Sequence, residues 1–127
     1  MTNPLAAVIE DEDDLAVLFA EAVQHAGYEA HIVSDGRQAR DWLINRLPSL
    51  VILDLHIADV AGADILQFIR SEPRLAGTHV IIASADERTV KLLEDQADLA
   101  LIKPVTFSQL RDLAARFHPD LVPHGAT

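Results

Sequence analysis

Leu50-Val51-Ile52-Leu53-Asp54-Leu55 is an apolar run broken by a single acid. Pro48-Ser49 precedes it, a sharp boundary for a strand. A short, continuous apolar run predicts a strand covered on both faces, and therefore a parallel sheet with helices on each side. A carboxylate inside such a run is costly to bury and needs a reason. Asp54 is the first candidate functional residue.

The pattern extends in both directions. Residues 5–9 (LAAVI) form a strand candidate. Residues 13–26 carry Leu15, Leu18, Phe19, Ala22 and Ala26 at helical spacing, and Gly27 is placed to end that helix. Residues 28–33 alternate as a strand. A turn at Asp35-Gly36 leads to a helix through Trp42 and Leu43 that should end near Leu47-Pro48. Beyond Asp54, a helix through Ile65, Leu66 and Ile69 runs out at Pro73, and residues 79–83 (HVIIA) are a buried strand. A helix through Val90, Leu93 and Ala97 precedes a short strand at residues 99–102 (LALI). Thr106 opens the last helix with Gln109 three residues on, a capping-box spacing, and Leu110, Leu113, Ala114 and Phe117 form its stripe. The prediction is α/β, (βα)5, in three layers, with one domain over residues 1–118. Residues 119–127 are expected to be a flexible C-terminal tail or the start of a linker.

Composition narrows the function classes. The chain has 127 residues, 50% hydrophobic and 24% charged, enough for one domain with its own core. It has no cysteine, which removes thiol catalysis, disulfides and Cys-type zinc sites. Its net charge of -10 argues against direct nucleic-acid binding and against anionic membrane surfaces. No apolar run is long enough to span a bilayer, and residues 1–10, with no basic region and acids close by, are not expected to be a signal peptide. A cytoplasmic location is expected.

The polar residues at strand ends are the informative feature. The first strand ends in Glu10 and Asp11, the third carries Asp54, the fourth ends in Ser84 and the fifth in Lys103. In a parallel sheet these ends share one edge, where ligands of open α/β sheets bind. Each residue alone has an ordinary reading as a strand-end polar group, and the coincidence of five carries the argument. Crowded carboxylates raise one another's pKa, and a divalent cation relieves the repulsion. Oxygen ligands with water filling the remaining positions suit Mg²⁺. Asp54 can then attack phosphorus to form an aspartyl phosphate, with Lys103 and Ser84 on the other phosphoryl oxygens. In the acid run at residues 10–14, Glu10 and Asp11 are assigned to the metal. Glu12, Asp13 and Asp14 are read as helix cap and first-turn residues.

These pieces resemble the receiver domain of two-component response regulators, single-domain chemotaxis regulators included, over nearly the whole chain. The resemblance rests on Val8-Ile9-Glu10-Asp11-Glu12, Val51-Ile52-Leu53-Asp54-Leu55, Gly62 eight residues past Asp54, Ser84-Ala85 and Lys103-Pro104. It implies a flavodoxin-like fold with strand order 2-1-3-4-5. It implies that Asp54 accepts a phosphoryl group from a histidine kinase or a histidine phosphotransfer protein. Mg²⁺ would be held by Glu10, Asp11, Asp54 and the backbone carbonyl of His56, with Ser84 and Lys103 sensing the phosphoryl group. His56 and Asp86, two residues past Asp54 and Ser84, would tune its lifetime. The domain would be a signalling phosphoacceptor rather than an enzyme, catalysing at most its own phosphorylation and dephosphorylation. Its output would be contact with an unidentified downstream protein, and family analogy allows a homodimer through the last two helices.

The chain departs from the family pattern at Ala100, where an aromatic is usual, at Ala58, where proline is frequent, and at Val105, where an aromatic commonly follows the Lys-Pro pair. Ala100 and Val105 leave open a pseudo-receiver that binds partners without being phosphorylated. A phosphatase of the haloacid-dehalogenase type would use similar groups, but it needs an acid two residues past the nucleophile, where this chain has His56.

Overall fold

The computed structural model describes residues 3–56 and 62–121. Ala58 and residues 122–127 lie outside the described residues. Five strands, β1 (Leu5–Ile9), β2 (Glu29–Val33), β3 (Leu50–Asp54), β4 (His79–Ser84) and β5 (Leu99–Ile102), pair in parallel in the order β2-β1-β3-β4-β5. Five helices alternate with them: α1 (Asp13–His25), α2 (Gly36–Ile44), α3 (Gly62–Ser71), α4 (Glu87–Leu93) and α5 (Phe107–Arg116). The expected flavodoxin-like three-layer architecture and strand order are observed.

The two faces of the sheet separate by residue parity, because successive strand side chains point in opposite directions. Ala7, Ile9, Val51, Leu53, Val80 and Ile82 face the helices that supply Leu43, Ile65, Leu66, Ile69 and Val90. Ala6, Val8, Leu50, Ile52, Ile81 and Ala83 face Phe19, Ala22 and Val23 of α1 and Leu110 and Ala114 of α5. Every residue of β3 is buried, which explains its near-uniform apolar sequence. β2 lies at the sheet edge and only Val33 is fully buried, so it keeps an alternating pattern.

Most helix boundaries follow the expected signals. Gly27 adopts φ +100° just after α1, a conformation that favours glycine. Thr106 Oγ1 accepts from the Gln109 N–H at 3.1 Å and caps α5. The cap of α1 is Glu12, with Asp13 and Asp14 in the first turn as expected, although the Glu12 side chain makes no capping bond. Two boundaries differ. α2 ends at Ile44, short of Leu47-Pro48. α4 ends at Leu93, and residues 94–96 form a 3₁₀ turn instead of continuing the helix to Ala97. There the Asp98 N–H donates to the Val80 carbonyl at 2.9 Å, and Arg70 Nε donates to the Gln96 carbonyl at 2.7 Å. These bonds draw the chain towards the sheet before another helical turn can form. Pro119–Leu121 form a further 3₁₀ turn, with the Asp120 N–H donating to His118 Nδ1 at 3.1 Å.

Candidate functional site

Strand register brings the candidate residues together. Ile9 pairs with Leu53, so Glu10 follows level with Asp54. Asp54 pairs with Ala83, and Ser84 comes next on β4. Ser84 pairs with Ile102, and the Lys103 N–H donates to the Ser84 carbonyl at 2.9 Å. Glu10, Asp11, Asp54, Ser84 and Lys103 thus meet at the carboxyl edge of the sheet, beside the reversal of strand order between β1 and β3.

The carboxylates are crowded and mostly dry. Glu10 is 1% exposed and Asp54 4%. Glu10, Asp11 and Asp54 each offer an oxygen, and these atoms lie within 4.8 Å of one another. Lys103 Nζ stands 3.2 Å from Glu10 Oε1 and 3.4 Å from Asp54 Oδ1, partly offsetting the charge. Backbone amides supply further support: the Glu12 N–H donates to Glu10 Oε2 at 3.3 Å, and the His56 N–H to Asp54 Oδ1 at 3.0 Å. Burial, followed by the neighbouring Asp54 charge, still pushes Glu10 up to about 7. One ammonium does not neutralise three carboxylates. An all-oxygen donor set with surplus negative charge fits a hard divalent cation such as Mg²⁺.

Ser84 is fully buried, and its Oγ accepts the Asp86 N–H at 3.0 Å. Its own hydroxyl proton is therefore free of that bond and can be donated to an anion. Asp86 is exposed and caps α4, accepting from the Arg88 N–H at 3.0 Å and the Thr89 hydroxyl at 2.9 Å. Those bonds, Thr89's first, hold the Asp86 carboxyl below its usual range, and His56 acts in the same direction. His56 and Asp86 thus face each other electrostatically at the rim. Thr89 was not foreseen; the Asp-x-x-Thr spacing of residues 86–89 was the available signal.

Gly62 has a steric role that its sequence position could not reveal. A Cβ there would meet the Leu55 Cα at 2.5 Å and the Asp54 carbonyl oxygen at 2.8 Å, so α3 starts against the backbone that carries Asp54. Ala100 is half-buried on β5, opposite Ile82, and lines a cleft of about 300 Å³ with Val90, Lys91 and Ile102. Val105 is buried against the α1–α5 side of the core. Among the described residues, no helix is long and apolar enough to cross a membrane.

Comparison with known proteins agrees with this geometry. A sequence model of the response regulator receiver domain matches residues 6–115. The phosphate regulon transcriptional regulatory protein PhoB of Rhizobium meliloti is 31% identical over 110 residues, covering 84% of this chain and 48% of that protein. The regulatory protein LuxO of Vibrio vulnificus is 30% identical over 105 residues, covering 82% of this chain and 23% of that protein. The chain thus spans less than half the length of these curated relatives. The signal receiver domain of a LuxO repressor protein from Vibrio parahaemolyticus superposes with a TM-score of 0.80 at 30% identity, covering 91% of this chain and 89% of that one. TrrA of Thermotoga maritima, solved in complex with Mg²⁺ and BeF, has a TM-score of 0.79 at 24% identity, covering 92% and 99%.

Proposed function

Because this chain belongs to the response regulator receiver domain family of two-component systems, we propose that Asp54 is its phosphoacceptor and that phosphorylation switches its binding to a downstream protein. The observation that carries the reading is Asp54 itself. It is a buried carboxylate at the end of a fully buried strand, with a lysine ammonium and a second buried acid beside it. The donor is a phosphohistidine on a histidine kinase or a histidine phosphotransfer protein, and the setting is cytoplasmic.

In the proposed step, an Asp54 carboxylate oxygen attacks phosphorus. A P–O bond forms, the P–N bond to the donor imidazole breaks, and the electron pair leaves on that nitrogen. Glu10, Asp11, Asp54 and the His56 carbonyl would hold Mg²⁺, which supplies charge neutralisation at the phosphoryl oxygens. A Mg²⁺–BeF complex has been seen in the related fold of TrrA. Lys103, already within 3.4 Å of Asp54, can follow the charge as it moves onto the phosphoryl group. The Ser84 hydroxyl can donate to a second phosphoryl oxygen. The chemistry is mostly positioning and charge stabilisation. His56 and Asp86, two residues past Asp54 and Ser84, would flank the phosphoryl group and set the rate of dephosphorylation. Because Asp86 also caps α4, Asp86→Asn is the suitable variant, as it keeps an acceptor for the Arg88 N–H. An unchanged decay rate in the double variant His56→Ala/Asp86→Asn would remove both residues from this role.

Intact mass after incubation with acetyl phosphate tests the main reading. The expected result is one phosphoryl adduct that requires Mg²⁺ and is absent in Asp54→Asn. Ala100, in place of an aromatic, favours a second reading: a pseudo-receiver that binds partners without phosphorylation. That reading stands if no adduct forms with either acetyl phosphate or a phosphohistidine donor while Mg²⁺ binding is intact.

A further inference from the structure

We propose that the outer face of α2 and the turn after α3 is a docking surface for an acidic protein segment carrying an apolar side chain. The proposal does not rest on phosphoryl transfer. It starts from a charge imbalance. The chain has 20 acids and 10 Lys and Arg residues, so exposed cations should find carboxylates easily. Arg40, Arg46 and Arg74 are all exposed, and none of them has a carboxylate partner within 4.0 Å among the described residues. Instead they are held in place by other means. The Arg40 guanidinium lies 4.8 Å from the Phe68 ring centre, and that of Arg46 lies 5.0 Å from the Trp42 ring centre. Arg74 Nη1 donates to the Arg46 carbonyl at 2.6 Å, and its other terminal nitrogen donates to the Leu43 carbonyl. Guanidinium groups fixed on rings and carbonyls lose less side-chain freedom on meeting a partner carboxylate.

Apolar groups accompany these cations. Ile44 is 51% exposed and Leu47 62%. Leu47 and Arg74 also border a cleft of about 390 Å³ whose walls include Pro48, His79 and Phe117. Basic rims beside exposed aliphatic groups and a cleft suit a segment with carboxylates around one apolar anchor. The cleft adjoins the beginnings of β3 and β4, at the opposite end of the strands from Asp54. Screening limits the reach of the overall negative charge to about 8 Å at physiological salt, so the local cations decide which partner docks. Asp64 lines the same cleft as Arg40 and Phe68, and Asp41 and Glu72 are close to these arginines in sequence, so the cations are interspersed with acids, which favours a narrow acidic segment over a flat anionic membrane.

Trp42 is the single tryptophan of the chain and lies beneath Arg46, so its emission reports occupancy. The test titrates the full chain, without phosphodonor, with a synthetic amphipathic peptide of glutamate and leucine. The same peptide with lysine for glutamate is the control. The expected result is a Trp42 emission change, with amide shifts at Arg40, Ile44, Leu47 and Arg74, and affinity that falls as salt rises. Arg40→Ala/Arg46→Ala should weaken binding roughly fivefold, a plausible sum for two partly exposed ion pairs. Arg116→Ala, an exposed cation on α5, should leave it unchanged. Thermal unfolding and circular dichroism of each variant separate lost binding from lost folding. The proposal is overturned if the glutamate peptide does not bind, if the lysine peptide binds as well, or if the shifts map to another face. Binding of phosphatidylserine vesicles in place of the peptide, or self-association at this face by sedimentation, would assign the surface to a membrane or a second copy and would equally overturn it.

Discussion

A methyl group at Gly62 would stand 2.5 Å from the Leu55 Cα, and neither atom belongs to a side chain that could turn away. Gly62→Ala should therefore cost about 1–3 kcal/mol of stability, as overpacking does, measured by urea unfolding. It should also slow labelling of Asp54, whose carbonyl is the next atom in the way. Asp98 gives the residue-scale pH prediction. Burial raises its pKa, but the Val80 N–H at 2.7 Å, His79 and Arg70 together lower it below the ordinary 3.8. A depressed folded-state pKa stabilises the fold above the unfolded value, and that contribution is lost as pH falls through the folded one. Asp98→Asn should thus be less stable than wild type near neutral pH, with the difference shrinking below about pH 4. Parallel pH–urea series for the two proteins would check it; a constant gap would show that Asp98 titrates normally. Asp98, Arg70 and His79 are far apart in the chain, and no sequence spacing announces their cluster.

At the scale of elements, helix starts differ in how they are held. Asp35, Asp86 and Thr106 each accept a backbone N–H two or three residues on, whereas Glu12 does not. Thr106→Ala should therefore destabilise the protein by about 1 kcal/mol, while Glu12→Ala should change stability little through capping. Thermal melts of the pair would distinguish the two cases. The cap at Thr106 was legible because Thr-x-x-Gln is a local pattern. The early end of α4 was not, because it depends on the hydrogen bonds that Arg70 donates to the Gln96 carbonyl and the Asp98 N–H donates to the Val80 carbonyl, partners that belong to other elements. Strand cores were legible for a related reason: burial on two faces leaves β3 no position for a polar side chain until Asp54.

For the whole molecule, the net charge of -10 means that NaCl should be stabilising through screening, since like charges repel in the compact state. Mg²⁺ should do more. Its chloride should raise the melting temperature above the value reached with NaCl at equal ionic strength, because a ligand bound only by the folded state adds its binding free energy. EDTA should reverse the excess. The excess should vanish in Asp54→Asn/Glu10→Gln, in differential scanning fluorimetry, whereas the screening effect should persist. An equal rise with both salts would leave the acid cluster without a specific cation.

The chain by itself determined the architecture and the membership of the carboxyl-edge cluster. Apolar runs covered on two faces require a parallel sheet, and a parallel sheet delivers all its strand ends to one edge. Glu10, Asp11, Asp54, Ser84 and Lys103 could therefore be grouped before their distances were known, while the order of strands came from the family resemblance. The tertiary structure alone decided what depends on contacts between elements. It set the 3.2 Å and 3.4 Å approaches of Lys103 to Glu10 and Asp54. It also made Gly62 obligatory against Leu55, and it set Arg40 over Phe68, Arg46 over Trp42 and Arg74 against the Arg46 carbonyl. Local periodicity encodes which face of an element is buried; it does not encode which atoms of distant elements come within a few ångströms, and that distance scale governs charge, close packing and recognition.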